Sequence, residues 1–259
     1  MLQLGAMSRA KGLVNEDAYL VDARRGLFGV FDGLGGSRQG ALAAALAAGA
    51  IRAAYESHGD LDDVDSEAAF LSIAVQGAGA LLAATLEDGL TTASVVRVCT
   101  RPEGGNTAVI CNIGDSRVYR LTESGELRQC TLDDSVFGAD WDVQRRLGEV
   151  VVATGLLEHA YLAQRHVIDR VLGEGLHAPH TWTVALEEHD VVLAVTDGVS
   201  DNLTFSELRE VVRASRDDPE RAARRLVDAA YTRSHQPSHA RAKIDDITAV
   251  VASVRADAV

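Results

Sequence analysis

The chain has 259 residues, 47% hydrophobic and 24% charged, and its 25 basic and 38 acidic side chains give a formal net charge of −13. This composition excludes bulk disorder and, with no linker rich in Pro, Ser or Gly, fits one large domain over 1–259. The acidic balance disfavours nucleic acid or an anionic membrane as a partner, so an anionic substrate needs a local source of positive charge. Three cysteines, Cys99, Cys111 and Cys130, have an odd count and no CxxC spacing, which argues against a disulfide framework or a zinc site and for a reducing, cytoplasmic compartment. No basic stretch followed by an apolar one opens the chain, and the run Ala41 to Ala50 is too short to span a bilayer.

In chain order, Leu2 to Met7 reads as a strand, followed by the polar turn Ser8 to Gly12 and a second strand over Ala18 to Asp22. The stretch Leu27 to Ser37, LFGVFDGLGGS, is the pivot: an apolar strand runs into Asp32 and then breaks on Gly33, Gly35 and Gly36, putting a carboxylate at a sheet edge beside backbone that a ligand can approach closely. Ser37 is the expected N-cap of a helix to about Tyr55, and Ser66 to about Leu86 reads as a second helix after the acidic loop Asp60 to Asp65. Strand patterns return at Thr91 to Thr100, Asn106 to Ile113, Ser116 to Leu121 and Glu126 to Leu132. Gly114-Asp115 and Glu123 to Gly125 read as hairpin turns between them, which makes this an antiparallel meander.

Periodicity weakens from Asp133 to about Gln164, the mark of an irregular excursion with some helix. Thr181 to Leu186 and Val191 to Thr196 return to strand, the latter ending in Asp197-Gly198; helices follow from Ser206 and over Pro219 to Ser234, and Ile247 to Val254 is a last strand. Strands and helices are segregated along the chain. That pattern indicates α+β, with sheets packed face to face and helices outside.

The acids fall at strand ends. Asp32 and Asp197 each close an apolar run before glycine, while Glu16, Asp17, Asp245 and Asp246 stand where strands begin. Taken singly, each acid caps a turn; if they converge, their mutual repulsion demands cations. An oxygen-only donor set without clustered His or Cys suits Mg²⁺ or Mn²⁺ better than Zn²⁺. Two such ions roughly 3.5–4 Å apart can share and acidify a water, and hydrolysis then needs no enzyme nucleophile. Consistently, neither GxSxG nor a CxxxxxR loop occurs, and the cysteines read as small core hydrophobes.

These residues carry a resemblance. NEDAY at 15–19, FGVFDGLGG at 28–36, NIGDSRVYRL at 112–121, VTDGVSD at 195–201 and DDIT at 245–248 resemble, in order and approximate spacing, the motifs of the PP2C (PPM) metal-dependent protein serine/threonine phosphatases. The resemblance implies a four-layer α-β-β-α sandwich with two central, mostly antiparallel sheets flanked by helix pairs. By the same resemblance, Asp32 bridges two Mg²⁺ or Mn²⁺ ions, the carbonyl of Gly33 and Glu16 complete one, and Asp197 and Asp245 hold the other. Asp17 matches the acid that orients a water on the ions, and Asp88, with Glu87 beside it, is the candidate for a third ion. Asp115 is implied to be a structural hairpin residue.

Two departures bear on substrate. The family places an arginine for the phosphate four residues before the glutamate, where this chain has Gly12; Lys11, or Arg9 through a shorter loop, is the substitute, and a lysine supplies a point charge in place of a bidentate fork. Leu34 stands where many eukaryotic members have a histidine proposed as general acid. The segment 136–172 takes the place of the family's variable flap, either a recognition loop or a solvent-covered insertion. The expected activity is hydrolysis of phosphoserine and phosphothreonine in protein substrates by a monomeric enzyme, with a catalytically weak or inactive binding or scaffold module, or a small-phosphoester phosphatase, as alternatives.

Overall fold

Val, Ile and Thr in unbroken runs form strands, and the strands collect into two antiparallel sheets in a computed structural model that describes residues 2–35, 38–58, 61, 63–100, 105–138, 140–175 and 177–255. One sheet has the order β1 (Leu2–Arg9), β11 (Ile247–Val254), β10 (Val191–Val195), β7 (Arg117–Leu121), β8 (Leu127–Gln129). The other has the order β2 (Asp17–Asp22), β3 (Leu27–Leu34), β5 (Ala93–Thr100), β6 (Asn106–Ile113), β9 (His180–Leu186), with the two-residue β4 (Leu90–Thr91) paired to the end of β3. Helices α1 (Arg38–Ser57) and α2 (Val64–Thr85) cover the second sheet, and α6 (Phe205–Arg213) and α7 (Pro219–Ser234) cover the first. Between β8 and β9 lie α3 (Trp141–Gly148) and α4 (Leu156–Gln164), and α5 (Asp197–Ser200) is one turn after β10.

Central strands bury both faces, so their sequences read as continuous apolar runs and not as alternation with polar residues. In β3 the pleat sends Phe28 and Val30 into the space between the sheets, where they meet Val96, Ile110, Val118, Ala194 and Val250, while Leu27 and Phe31 face Leu71, Val75 and Leu82 of α2. On the opposite side Tyr119, Leu193 and Val251 pack against Leu208 of α6 and Leu226 and Val227 of α7. This is the expected four-layer α-β-β-α sandwich. Helix starts follow side-chain chemistry: Asp63 caps α2 through Ser66, and Thr204 and Glu207 form a capping box at α6.

Several expectations are corrected. Gly114-Asp115 does not close a hairpin, because β6 pairs with β5 and β9 while β7 pairs with β10 and β8; the chain crosses there from one sheet to the other, so the expected meander is divided between them. The physical reason is a set of buried side-chain bonds that tie this turn to neighbours other than its own flanking strand: Ser94 Oγ donates to Ser116 O at 2.8 Å, and the Gly114 N–H to Asp134 Oδ2 at 2.9 Å. The strand expected over Thr91 to Thr100 is interrupted at Thr92, whose N–H donates to Asp32 O at 2.9 Å. Asp32 lies inside β3 and not at its end. The excursion after β8 contains two helices with their own apolar cluster of Leu147, Val150 and Tyr161. The N-cap expected at Ser37 falls outside the described residues. By length and composition α2 is apolar enough to cross a membrane, but Leu71, Val75, Ala78 and Leu82 on it are buried against the second sheet.

Candidate metal centre

Strand pairing does the first part of the gathering. In the β2–β3 ladder Asp17 stands opposite Asp32, and the Gly33 N–H donates to Glu16 O at 3.1 Å. A Cβ on Gly33 would lie 2.2 Å from Gly40 O and 2.6 Å from Glu16 O, so only glycine lets the start of α1 close over this corner. From the other sheet, β10 delivers Asp197 and β11 is preceded by Asp245 and Asp246. A Cβ on Gly198 would lie 1.9 Å from Asp246 O; that close approach sets α5 directly on the start of β11.

Threonines and a buried acid lock the sheets together at this edge. Thr196 Oγ1 donates to Asp17 Oδ2 at 2.9 Å and accepts from the Thr248 N–H at 3.0 Å. Asp246, 1% exposed, accepts the Lys11 N–H at 2.6 Å and the Glu16 N–H at 2.9 Å. Each of its two carboxyl oxygens thus meets one backbone donor. Asn15 serves the same corner, its side chain donating to Ser8 Oγ at 2.7 Å and accepting the Asp17 N–H at 3.1 Å.

Two lysines stand among the acids. Lys11 Nζ is 3.4 Å from Glu16 Oε2, 3.1 Å from Asp245 Oδ1 and 3.6 Å from Asp246 Oδ2. Lys243 Nζ pairs with Asp197 Oδ2 and lies 3.1 Å from both Asp201 Oδ2 and Asp245 Oδ2. Among the described residues no three His, Cys, Asp or Glu side chains close around one point, which fits ammonium groups lying between the carboxylates.

The electrostatics mark a single cluster. Burial is the first cause that raises Asp32, and Asp17, Asp197, Asp245 and Asp115 add to it. Asp17 is pushed up to about 8, again first by burial, against the hydrogen bonds from Thr248 and Thr196. Asp197 and Asp115 are likewise raised by burial, with Lys243 acting against the shift in each. Asp201 goes the other way: burial would raise it, but Lys243 and then Arg165 hold it below the usual carboxylate range. Burial opposes charge on Lys243 and Lys11, yet the surrounding carboxylates keep both well above the ordinary lysine range.

Of the residues singled out in the sequence, Glu16, Asp17, Asp32, Gly33, Asp197, Asp245 and Lys11 come together here. Arg9 does not: its guanidinium lies 3.2 Å from the Tyr231 ring centroid and its Nη1 is 3.6 Å from Asp228 on α7, because β1 carries it to the outer face of the first sheet. Asp88 is exposed and donates its N–H to Gln39 Oε1 at 3.2 Å; among the described residues it shares no hydrogen bond or ion pair with Asp197. Asp115, Asp201 and Lys243 join the cluster without having been marked as site residues in the sequence. The donor set suits hard cations, and among the described residues Asp17 Oδ1 and Asp197 Oδ1 are buried oxygens with no hydrogen-bond partner. Such orphaned acceptors cost free energy unless a cation or water meets them.

The sequence profile of Protein phosphatase 2C matches residues 4–230. The serine/threonine phosphatase PstP/Ppp of Mycobacterium tuberculosis superposes with a TM-score of 0.76 at 28% identity, covering 98% of this chain and 99% of that one. The catalytic domain of PstP in complex with two manganese ions gives 0.74 at 27% identity, covering 98% and 99%. The serine/threonine phosphatase stp of Listeria welshimeri is 26% identical over 199 residues, 74% of each chain. With this profile spanning both sheets and the acids meeting where they do, the chain belongs to the protein phosphatase 2C family.

Proposed function

We propose that this serine/threonine phosphatase hydrolyses phosphoserine and phosphothreonine in cytoplasmic protein substrates, using two Mg²⁺ or Mn²⁺ ions. The observation that carries the reading is the convergence of Glu16, Asp17, Asp32, Asp197 and Asp245 from four separate stretches of chain, with buried carboxylate oxygens on Asp17 and Asp197 left unpartnered. Asp32, Glu16 and the Gly33 carbonyl would hold one ion, with Asp32 shared, and Asp197 and Asp245 the other. When bound, the ions supply a water acidified towards neutrality and positive charge for the phosphoryl oxygens.

The chain's own groups do the positioning. Asp17, fixed through Oδ2 by Thr196, presents Oδ1 as the acceptor that orients the attacking water. Lys11, whose side chain is 35% exposed beside Glu16 and Asp245, is the cation that reaches out to the substrate phosphate as a point charge. Cys111 and Cys130 do not serve as nucleophiles, since burial pushes their thiols up to about 12 and leaves them protonated.

Hydrolysis of a phosphoserine peptide and of a small aryl phosphate, with Mn²⁺ and with EDTA, tests the reading. Turnover should require the metal, favour the peptide, and drop at least about a hundredfold in Asp32→Ala and Asp197→Ala. Turnover that survives EDTA and both substitutions would reject it, and a preference for the small phosphate would reject the substrate class.

A further inference from the structure

Lys243 is held as rigidly as the acids it touches. Its N–H donates to Asn202 Oδ1 at 3.0 Å and its carbonyl accepts from Asn202 Nδ2 at 2.9 Å, and the same Nδ2 donates to Gly198 O at 2.9 Å. Asn202 is fully buried. One amide therefore locks the backbone of Lys243 to the turn of α5 that carries Asp197, and the four-carbon stem delivers Nζ between Asp197, Asp201 and Asp245 with only 19% of the side chain exposed. Asp245 is divided between the two lysines, Oδ1 facing Lys11 and Oδ2 facing Lys243. A lysine ammonium is a compact, hard cation with three donors. It satisfies the same oxygens that a hard divalent ion would take.

We propose that Lys243 is a tethered cation that competes with a divalent ion for Asp197 and Asp245, so that the two ion positions load unequally. The inference rests on the reading of Asp197 and Asp245 as metal ligands. The position at Glu16, Asp32 and Gly33 fills at lower metal concentration. The position at Asp197 and Asp245 fills when Nζ withdraws, and Asp201, which is outside the proposed ligand set and also faces Arg165 Nε at 3.5 Å, keeps the displaced ammonium close by. Metal supply would then set the fraction of fully loaded enzyme through the weaker position.

Mn²⁺ titrations of the full chain at one fixed pH, followed by calorimetry and by the free-Mn²⁺ electron paramagnetic resonance signal, test this without any turnover. Wild type should show a tighter and a weaker class of site. In Lys243→Met and Lys243→Gln the weaker class should tighten at least about tenfold, since each tenfold corresponds to about 1.4 kcal/mol of removed competition, with the tighter class changing much less. An unchanged or weakened second class in both variants would overturn the competition. Asp197→Asn and Asp245→Asn should abolish the weaker class; if they leave it intact, the ligand reading fails and the inference with it. Should the neutral variants need Mn²⁺ to stay folded, melts across Mn²⁺ concentration decide: competition places the midpoint of the Mn²⁺-dependent rise in Tm at least about tenfold below wild type, and an unmoved midpoint overturns it.

Discussion

Asp17 Oδ2 accepts from Thr196 Oγ1, Oδ1 has no hydrogen-bond partner among the described residues, and burial, its largest influence, raises its pKa from 3.8 to about 8. Between those values the folded chain keeps a proton that the unfolded chain has released. The folded state then binds more protons, so stability falls as pH rises through the window, by up to about 1.4 kcal/mol per pH unit for this one group. Below about pH 4 the group contributes no difference, and above about 8 the loss is complete. Asp17→Asn keeps an acceptor for Thr196 and removes the proton exchange. In EDTA, thermal melts of Asp17→Asn should match wild type near pH 4 and exceed it by several degrees at pH 8; equally steep profiles for the two proteins would contradict the assignment. Asp17 was legible in the sequence because it opens a strand beside Glu16, as were Asp32 and Asp197 because each precedes glycine. Lys243, Asp115 and Asp201 were not. A single charged residue in a turn carries no periodic signal; the packing of α5 on β11 puts Asp201 and Lys243 among the other acids, and the crossing from β6 to β7 puts Asp115 there.

At the scale of elements, two buried arginines tie the flap helices to the acid-bearing turn. Arg241, 0% exposed, donates to Leu147 O at 3.2 Å and Val150 O at 3.1 Å at the end of α3, and to Ser200 O of α5 at 2.6 Å. Arg165, just after α4, donates to Asp201 O at 3.1 Å and to Arg241 O at 3.3 Å. The expected irregular excursion is therefore fastened to the turn that carries Asp197. Arg241→Ala would remove the guanidinium from three buried carbonyls, of which Leu147 O keeps the Val150 N–H, and leave a cavity, a cost of about 3–5 kcal/mol. Hydrogen exchange in that variant should rise over 141–164 and 197–203 while the amides of β3, β6 and β11 stay protected; exchange that rises evenly over the whole fold would contradict a local fastening. The strands themselves were legible from their β-branched runs. Their partners were not, as Gly114-Asp115 shows: a glycine with a turn-forming acid says that the chain reverses, and long-range bonds from Ser94 and Asp134 decide which sheet it joins.

For the whole molecule, stacking two sheets face to face is what makes a site out of acids between residues 16 and 245. Gathering them costs free energy, seen in the raised carboxyls of Asp17, Asp32, Asp115 and Asp197. The three apolar layers offset it, each fully buried Phe, Leu or Val side chain contributing about 1.5–3 kcal/mol. The α+β segregation and the layer order follow from the sequence pattern alone, since strand runs and helix pairs alternate in blocks; which strands share a sheet depends on contacts between residues far apart in the chain. The measurement that bears most directly on the whole account is an anomalous difference map from crystals soaked in saturating Mn²⁺. It should show two peaks at this sheet edge, one against Glu16, Asp32 and the Gly33 carbonyl and one against Asp197 and Asp245, with Lys243 moved towards Asp201. No peak among these carboxylates, or manganese bound only elsewhere on the protein, would contradict it.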